Sequence, residues 1–132
     1  MAVKPIREGF HTVTPYLMVR EAAKLIDFVK EAFAATELFR GTGSAGGIHA
    51  EVRIGDSMVM IGGAGTWNGE PMPAAIYLYM DDVDAVYKRA LQAGAASLSE
   101  PADQPYGDRI AGVKDPFGNV WYIATHIEDV QF

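Results

Sequence analysis

Two stretches of this chain carry apolar residues at helical spacing, and most of the others alternate. From Glu21 to Ala35, residues Ala22, Leu25, Ile26, Val29, Ala32 and Phe33 recur every three or four positions, while Lys24, Lys30 and Glu31 lie mostly away from them. That spacing predicts an amphipathic helix. The second stretch places Val83, Val86, Tyr87, Ala90 and Leu91 on one stripe, with Asp81 or Asp82 available as cap, Lys88 and Arg89 in the last turn and Gly94 as the stop. His11 to Val19 alternates, with Thr14, Tyr16 and Met18 on one face and Val13, Pro15, Leu17 and Val19 on the other. Pro15 has no amide to donate, so this strand is expected at an edge, at a bulge, or paired on one side only. Further strands are predicted over 36–40, 48–54, 57–61, 75–80, 95–99, 110–113 and 120–125.

The turns turn this series into a repeat. Asp115-Pro116-Phe117-Gly118 has the residue order of a type I turn between two apolar, aromatic and β-branched runs, which predicts a closing hairpin. Gly55-Asp56 makes a shorter turn between Glu51-Val52-Arg53-Ile54 and Ser57 to Ile61. Thr14 to Arg20 then matches Ala75 to Asp81, and each half reads strand, helix, strand, strand, strand. The Gly- and Pro-rich run from Gly62 to Ala74 is the linker, 41–47 and 100–108 are loops, and residues 1–10 form a loosely held opening segment. One helix cannot cover a half's sheet, so the halves, about 12–63 and 75–129, are expected to pack together as eight strands curved around a cleft with helices on the convex side.

Composition narrows the function more than the fold. The 132 residues suit a single domain, and 49% hydrophobic with 21% charged residues is ordinary for a globular one. A net charge of −6 without a Lys/Arg cluster argues against nucleic acid as a partner. The chain has no cysteine, which removes thiolate metal sites and a cysteine nucleophile. The opening MAVKPIREGFHTV has no apolar signal core and no run approaches a bilayer span, so a cytoplasmic protein without membrane contact is expected.

The paired plan, the phrase Tyr77-Leu-Tyr-Met-Asp-Asp-Val-Asp84 and the ending Asp115-Pro-Phe-Gly-Asn-Val-Trp121 resemble the vicinal oxygen chelate superfamily of glyoxalases, bleomycin-resistance proteins and extradiol dioxygenases. TPYLMV, DFVKEAFAATELFR and HAEVRIGDSMVMIGG are similar to its PhnB-like subgroup. The resemblance runs from about Thr12 to Asp129 and implies an α+β fold of two paired βαβββ modules forming an eight-stranded curved mixed sheet. It also implies a homodimer and a small-molecule ligand, but not one activity, because the scaffold hosts lyases, isomerases, dioxygenases and non-catalytic drug binders. Enzymes of this kind take His, Gln or Glu metal ligands from the first and last strand of each half. Counted from the motifs, those positions are Thr14, Ala75, Val59 and Tyr122, none of them a strong ligand for a divalent ion. The usual metal site is therefore expected to be missing, with no cofactor implied.

His49, Glu51 and Arg53 alternate with Ile48, Ala50, Val52 and Ile54, so they share one face, either a polar patch in the cleft or a solvated side of the sheet. The His-x-Glu pair resembles the zinc-deaminase signature, which also needs cysteines that the chain lacks. Tyr16, Tyr77, Tyr79 and Tyr122 fall on faces expected to line the cleft, as flat surfaces for a planar ligand or as plain packing. Trp67 closes over the cleft or caps the edge of the core, and Met58, Met60, Met72 and Met80 add apolar wall or fill the core. His11 and His126 read as surface residues near strand ends, though a metal site assembled from His11, His49, Glu51 or His126 stays open. Gly41, Gly43 and Gly46 spell GxGxxG but precede a strand instead of opening a helix, so they make a hairpin loop and not a dinucleotide site. Three functions remain: a metal-free binder of a small organic molecule, an enzyme with unusual metal ligands or with acid-base work by His49 and Glu51, and a partner protein with a vestigial cleft.

Overall fold

The computed structural model describes residues 3–131. The first module is β1 (Tyr16–Met18), α1 (Ala22–Phe33), β2 (Thr36–Thr42), β3 (Ile48–Ile54) and β4 (Ser57–Gly63). The second repeats the order as β5 (Ala75–Tyr79), α2 (Val83–Gln92), β6 (Ala96–Asp103), β7 (Asp108–Lys114) and β8 (Val120–His126). The strands form two four-stranded mixed sheets, ordered β1-β4-β3-β2 and β5-β8-β7-β6, so the paired βαβββ plan expected from the repeat is the plan of the molecule. In each, the first strand runs parallel to the last and the remaining pairs are antiparallel.

Strand limits moved where backbone chemistry outweighs side-chain alternation. Regular pairing in β1 begins only at Tyr16, one residue after Pro15, whose carbonyl still accepts from Met60 N at 2.9 Å. The strand is an edge of its sheet, one of the placements that Pro15 allows, and the linker touches its open side through a Met18–Met72 bridge. β6 runs on to Asp103, through Pro101 and part of the segment expected as loop. An edge strand with register shifts tolerates a residue without an amide donor. Helix α1 ends at Ala34, which takes the left-handed conformation at φ 55°, and α2 is capped by Asp82, whose Oδ1 accepts from Ala85 N at 3.2 Å.

Each helix covers one face of its own sheet, and the two helices pack on each other to make one core within the chain. Leu17, Ala50, Val52, Val59 and Ile61 from the first sheet and Ala111, Val113, Trp121 and Ile123 from the second are buried there. Phe33 at the end of α1 reaches across the modules to Trp121, with ring centroids 4.8 Å apart. The Asp115 turn anchors this junction through a buried polar network. Asp115 Oδ1 accepts from the amides of Phe117 and Asn119 at 2.8 and 3.0 Å, and Oδ2 accepts from Asn119 Nδ2 and Trp121 Nε1 at 3.0 and 2.9 Å. Asn119 Oδ1 then accepts from Ala74 N at 3.0 Å, tying the linker to the turn, while Gly118 supplies the required positive φ of 98°. No helix is long and apolar enough to cross a membrane among the described residues.

Candidate functional site

With helices on one face of each sheet, alternation leaves the other face open, and the polar and aromatic candidates stand on it. On the first sheet a row runs Phe39, Glu51, Met60, Tyr16, and the next holds Gly41, His49, Gly62 and Met18. Tyr16 leans over Gly62, where a Cβ would lie 2.9 Å from its ring, and brings its hydroxyl within 3.1 Å of His49 Nδ1. His49 Nε2 is 3.3 Å from Glu51 Oε2. A neutral imidazole with its proton on Nε2 satisfies both contacts, accepting from the phenol and donating to the carboxylate. Glu51 is only 6% exposed, and Arg7 supplies its countercharge by a two-pronged contact of 2.8 and 2.9 Å. That pairing holds the Glu51 carboxyl below its ordinary pKa, against the opposing effect of burial. The Arg7 guanidinium also lies 4.5 Å from the centroid of the Phe10 ring, so the opening segment is tied to this face at Arg7. Arg53 stands exposed on the same face, in register with Met58 and Thr36.

On the second sheet, Tyr77 and Tyr122 share a row with Gly112, Tyr79 and Ala124 share the next with Ile110, and Asp108 pairs with His126 beyond. The Tyr77 and Tyr79 centroids are 5.3 Å apart and those of Tyr77 and Tyr122 6.2 Å, forming a tilted aromatic wall. Ala124 is fully buried although it is on the open face of the sheet. Both β5 phenols donate to Asp108 Oδ2, Tyr77 at 2.6 Å and Tyr79 at 3.0 Å. Asp108 Oδ1 takes His126 Nδ1 at 2.8 Å, and His126 Nε2 meets Asp129 Oδ1 at 2.7 Å. Two carboxylates can only accept, so both ring nitrogens donate when His126 is an imidazolium, a form favoured first by Asp129 and then by Asp108, which raise its pKa. The donated phenols and the imidazolium lower the Asp108 pKa, while burial and the bond to Asp108 push Tyr77 up and keep it neutral.

Asp108 and His126 were not among the residues singled out for this face. Asp108, expected in a loop, instead begins β7, and His126, exposed at the end of β8 as its surface reading has it, is its cross-strand partner. Counting outward from the Asp115 turn pairs Asp115 with Asn119 and arrives at Asp108 opposite His126, so the signal was present in the hairpin. Trp67 packs over the glycine backbone at residues 47, 63 and 69, at the end of the first sheet away from the Gly55 turn. A groove of about 620 Å³ lies between residues 11–15, the Gly55 hairpin and β5, with Tyr77 and Tyr79 in its wall.

The metal positions need one correction. Counting four residues beyond Gly55 gives Val59, but Val59 pairs with Val52 and is buried against the helices. Met60 is in register with Tyr16, as Tyr122 is with Tyr77, because the first hairpin has the shorter turn. Met60 is a soft thioether and no better a ligand for the usual divalent ions. With Thr14, Ala75 and Tyr122 in the other places, the side chains do not fit such an ion. No group of three or more His, Asp or Glu residues suited to a metal occurs among the described residues.

Residues 9–123 match the Glyoxalase/Bleomycin resistance protein/Dioxygenase superfamily. The chain belongs to that superfamily. An uncharacterised protein of Mycobacterium bovis is 39% identical over 129 residues, covering 89% of this chain and 85% of its own. An uncharacterised protein of Mycobacterium tuberculosis H37Rv is also 39% identical over 129 residues, covering 89% of this chain and 76% of its own length. Among solved structures, TioX from Micromonospora sp. ML1 superposes with a TM-score of 0.67 at 22% identity, covering 87% of this chain and 99% of that one. The fosfomycin resistance protein FosX from Mesorhizobium loti does so with a TM-score of 0.63 at 18% identity, covering 87% and 90%. At those identities the superposed structures speak for the fold alone.

Proposed function

We propose that this superfamily member binds a small organic molecule on the open faces of its sheets without the metal site of its enzymatic relatives. The observation that carries the reading is the wall of Tyr77, Tyr79 and Tyr122, two of whose phenols, Tyr77 and Tyr79, donate to the buried carboxylate of Asp108. Flat apolar surface with a few convergent polar groups is what a small-molecule site requires. Tyr16, His49, Glu51 and Arg53 supply the corresponding polar groups on the first sheet, and Trp67 borders it. The name of the matching superfamily includes bleomycin resistance, which agrees with a binder of this kind. Titration of purified protein with small aromatics, followed by melting temperature, tests it, because a ligand that binds only the native state raises apparent stability. Tyr79→Ala and Arg53→Ala should each weaken binding of the ligand found by about 1 kcal/mol or more while leaving the fold intact. One divalent ion per chain by elemental analysis, lost on chelation together with an activity, would reject the metal-free reading.

A second reading is favoured by the Tyr16, His49 and Glu51 contacts, which line up a phenol, an imidazole and a carboxylate for proton transfer. It makes the chain an enzyme whose acid-base work falls to His49 and Glu51. We assign the chain to the PhnB-like subgroup on the segments that resemble it. We also propose a homodimer, in which a second copy covers apolar residues that the outer strands leave exposed, Leu38 and Phe39 on β2 and Leu98 on β6. Sedimentation at micromolar concentration should give twice the chain mass, and a monomer alone would contradict the assembly.

A further inference from the structure

Resting on the small-molecule reading above, we propose that the tyrosine wall of the second sheet selects an organic cation, an ammonium or amidinium group on a planar body. The first sheet already shows the chemistry in miniature. There the chain's own Arg7 guanidinium sits against the Phe10 ring and on the Glu51 carboxylate at once. The second sheet has the same two components, an aromatic surface and a carboxylate beneath it, with Tyr77 and Tyr79 also walling the groove. No Lys or Arg makes an ion pair with Asp108 among the described residues.

The charges facing this wall favour a cation over an anion. Asp108, 3% exposed, accepts from two phenols and one imidazole nitrogen, which leaves part of its acceptor capacity. Each phenol that donates to a carboxylate is polarised toward its own oxygen and ring, which strengthens the negative potential over the ring face. His126 is the one cation in the cluster, and both its N–H groups are spent on Asp108 and Asp129, so it has none to offer an anionic ligand. Those two carboxylates and one imidazolium sum to a net negative cluster. Arg109 lies on the helix side of β7 and is engaged by Asp84 and Asp103. Lys114 is exposed on the open face, but it stands at the opposite end of β7 from Asp108, in the row of Val120 and Ala75. The whole chain, at −6, attracts cations from solution.

The test uses three probes of nearly one shape: 3-hydroxyphenyltrimethylammonium, its neutral isostere 3-tert-butylphenol, and 3-hydroxybenzoate as the anion. Calorimetric titration of the full chain at low salt should show the ammonium compound binding about five- to tenfold more tightly than the isostere. Tyr79→Leu, a change at a residue 65% exposed, should erase most of that ratio while the variant stays folded with a cooperative melting transition. Asp108→Asn should lower the ratio too, and the Tyr79 variant keeps the test decisive if Asp108→Asn fails to fold. Equal or tighter binding of 3-tert-butylphenol, weakened by Tyr79→Leu, would overturn the cation preference while leaving a small-molecule site in place. Tighter binding of 3-hydroxybenzoate would overturn it as well. A preference that survives Tyr79→Leu but is lost in Glu51→Gln would move the site to the first sheet and reject this placement. Binding of no probe, and of no aromatic in the wider screen, would remove both the preference and the reading beneath it.

Discussion

Asp115→Ala is expected to lower the stability of this protein by about 3–5 kcal/mol, a large share of the roughly 5–15 kcal/mol that holds a domain folded. The side chain accepts four hydrogen bonds, and its partners are held inside the protein: Asn119 and Trp121 are fully buried and Asp115 itself is 4% exposed. Truncation leaves two amides, a carboxamide and an indole N–H without acceptors. Each such orphaned donor costs about 1–3 kcal/mol, and partial relaxation toward solvent at the turn keeps the total below the simple sum. Asp115→Asn should rescue little, because its amide NH2 would face the Asn119 and Trp121 donors now held by Oδ2. Urea unfolding measures the effect directly. A loss under about 1 kcal/mol in the alanine variant would mean that the network does not anchor the turn, and that Trp121 stays against Phe33 by packing alone.

That network also explains why the fold was legible in the sequence and the site only in part. Asp-Pro-Phe-Gly fixes a turn within four residues, and the alternation on both sides fixes which way Trp121 and Tyr122 face. The duplication then transfers the topology from one half to the other. What did not transfer was the count from each turn glycine, since the two hairpin turns differ in length and Val59 falls on the core face where Met60 is open. The reach of Arg7 to Glu51 was equally hidden, as a segment rich in charge, Pro and Gly carries no period that says which strand it will touch. Tyr77 and Tyr79 were readable as open-face residues by parity alone. Their attachment to Asp108 depends on the β7 strand beginning earlier than its apolar run, because a polar Asp108-Arg109 start gives no hydrophobic signal.

Gly63→Ala is the other substitution expected to act severely, by about 3 kcal/mol or more, or by preventing folding. Gly63 closes β4 at φ +130°, a region that residues with a Cβ rarely adopt, and a Cβ built there would lie 1.7 Å from the Val19 carbonyl oxygen. Neither partner is free to retreat. Val19 is buried, and its amide donates to the Gly62 carbonyl at 3.0 Å as the chain passes from β1 into α1. Relief of the clash must therefore push β1 from β4, breaking the parallel ladder that sets Tyr16 against Met60 and Met18 against Gly62. The phenol of Tyr16 would lose its place beside His49 in the same movement. Gly55→Ala provides the matched control, for it has a positive φ of 59° but no atom within 4 Å of the new Cβ. It should cost only the backbone strain, about 1 kcal/mol. Melting curves of the two variants separate the effects, and a Gly63→Ala protein as stable as Gly55→Ala would show that the approach of β4 to Val19 is not what positions the first strand.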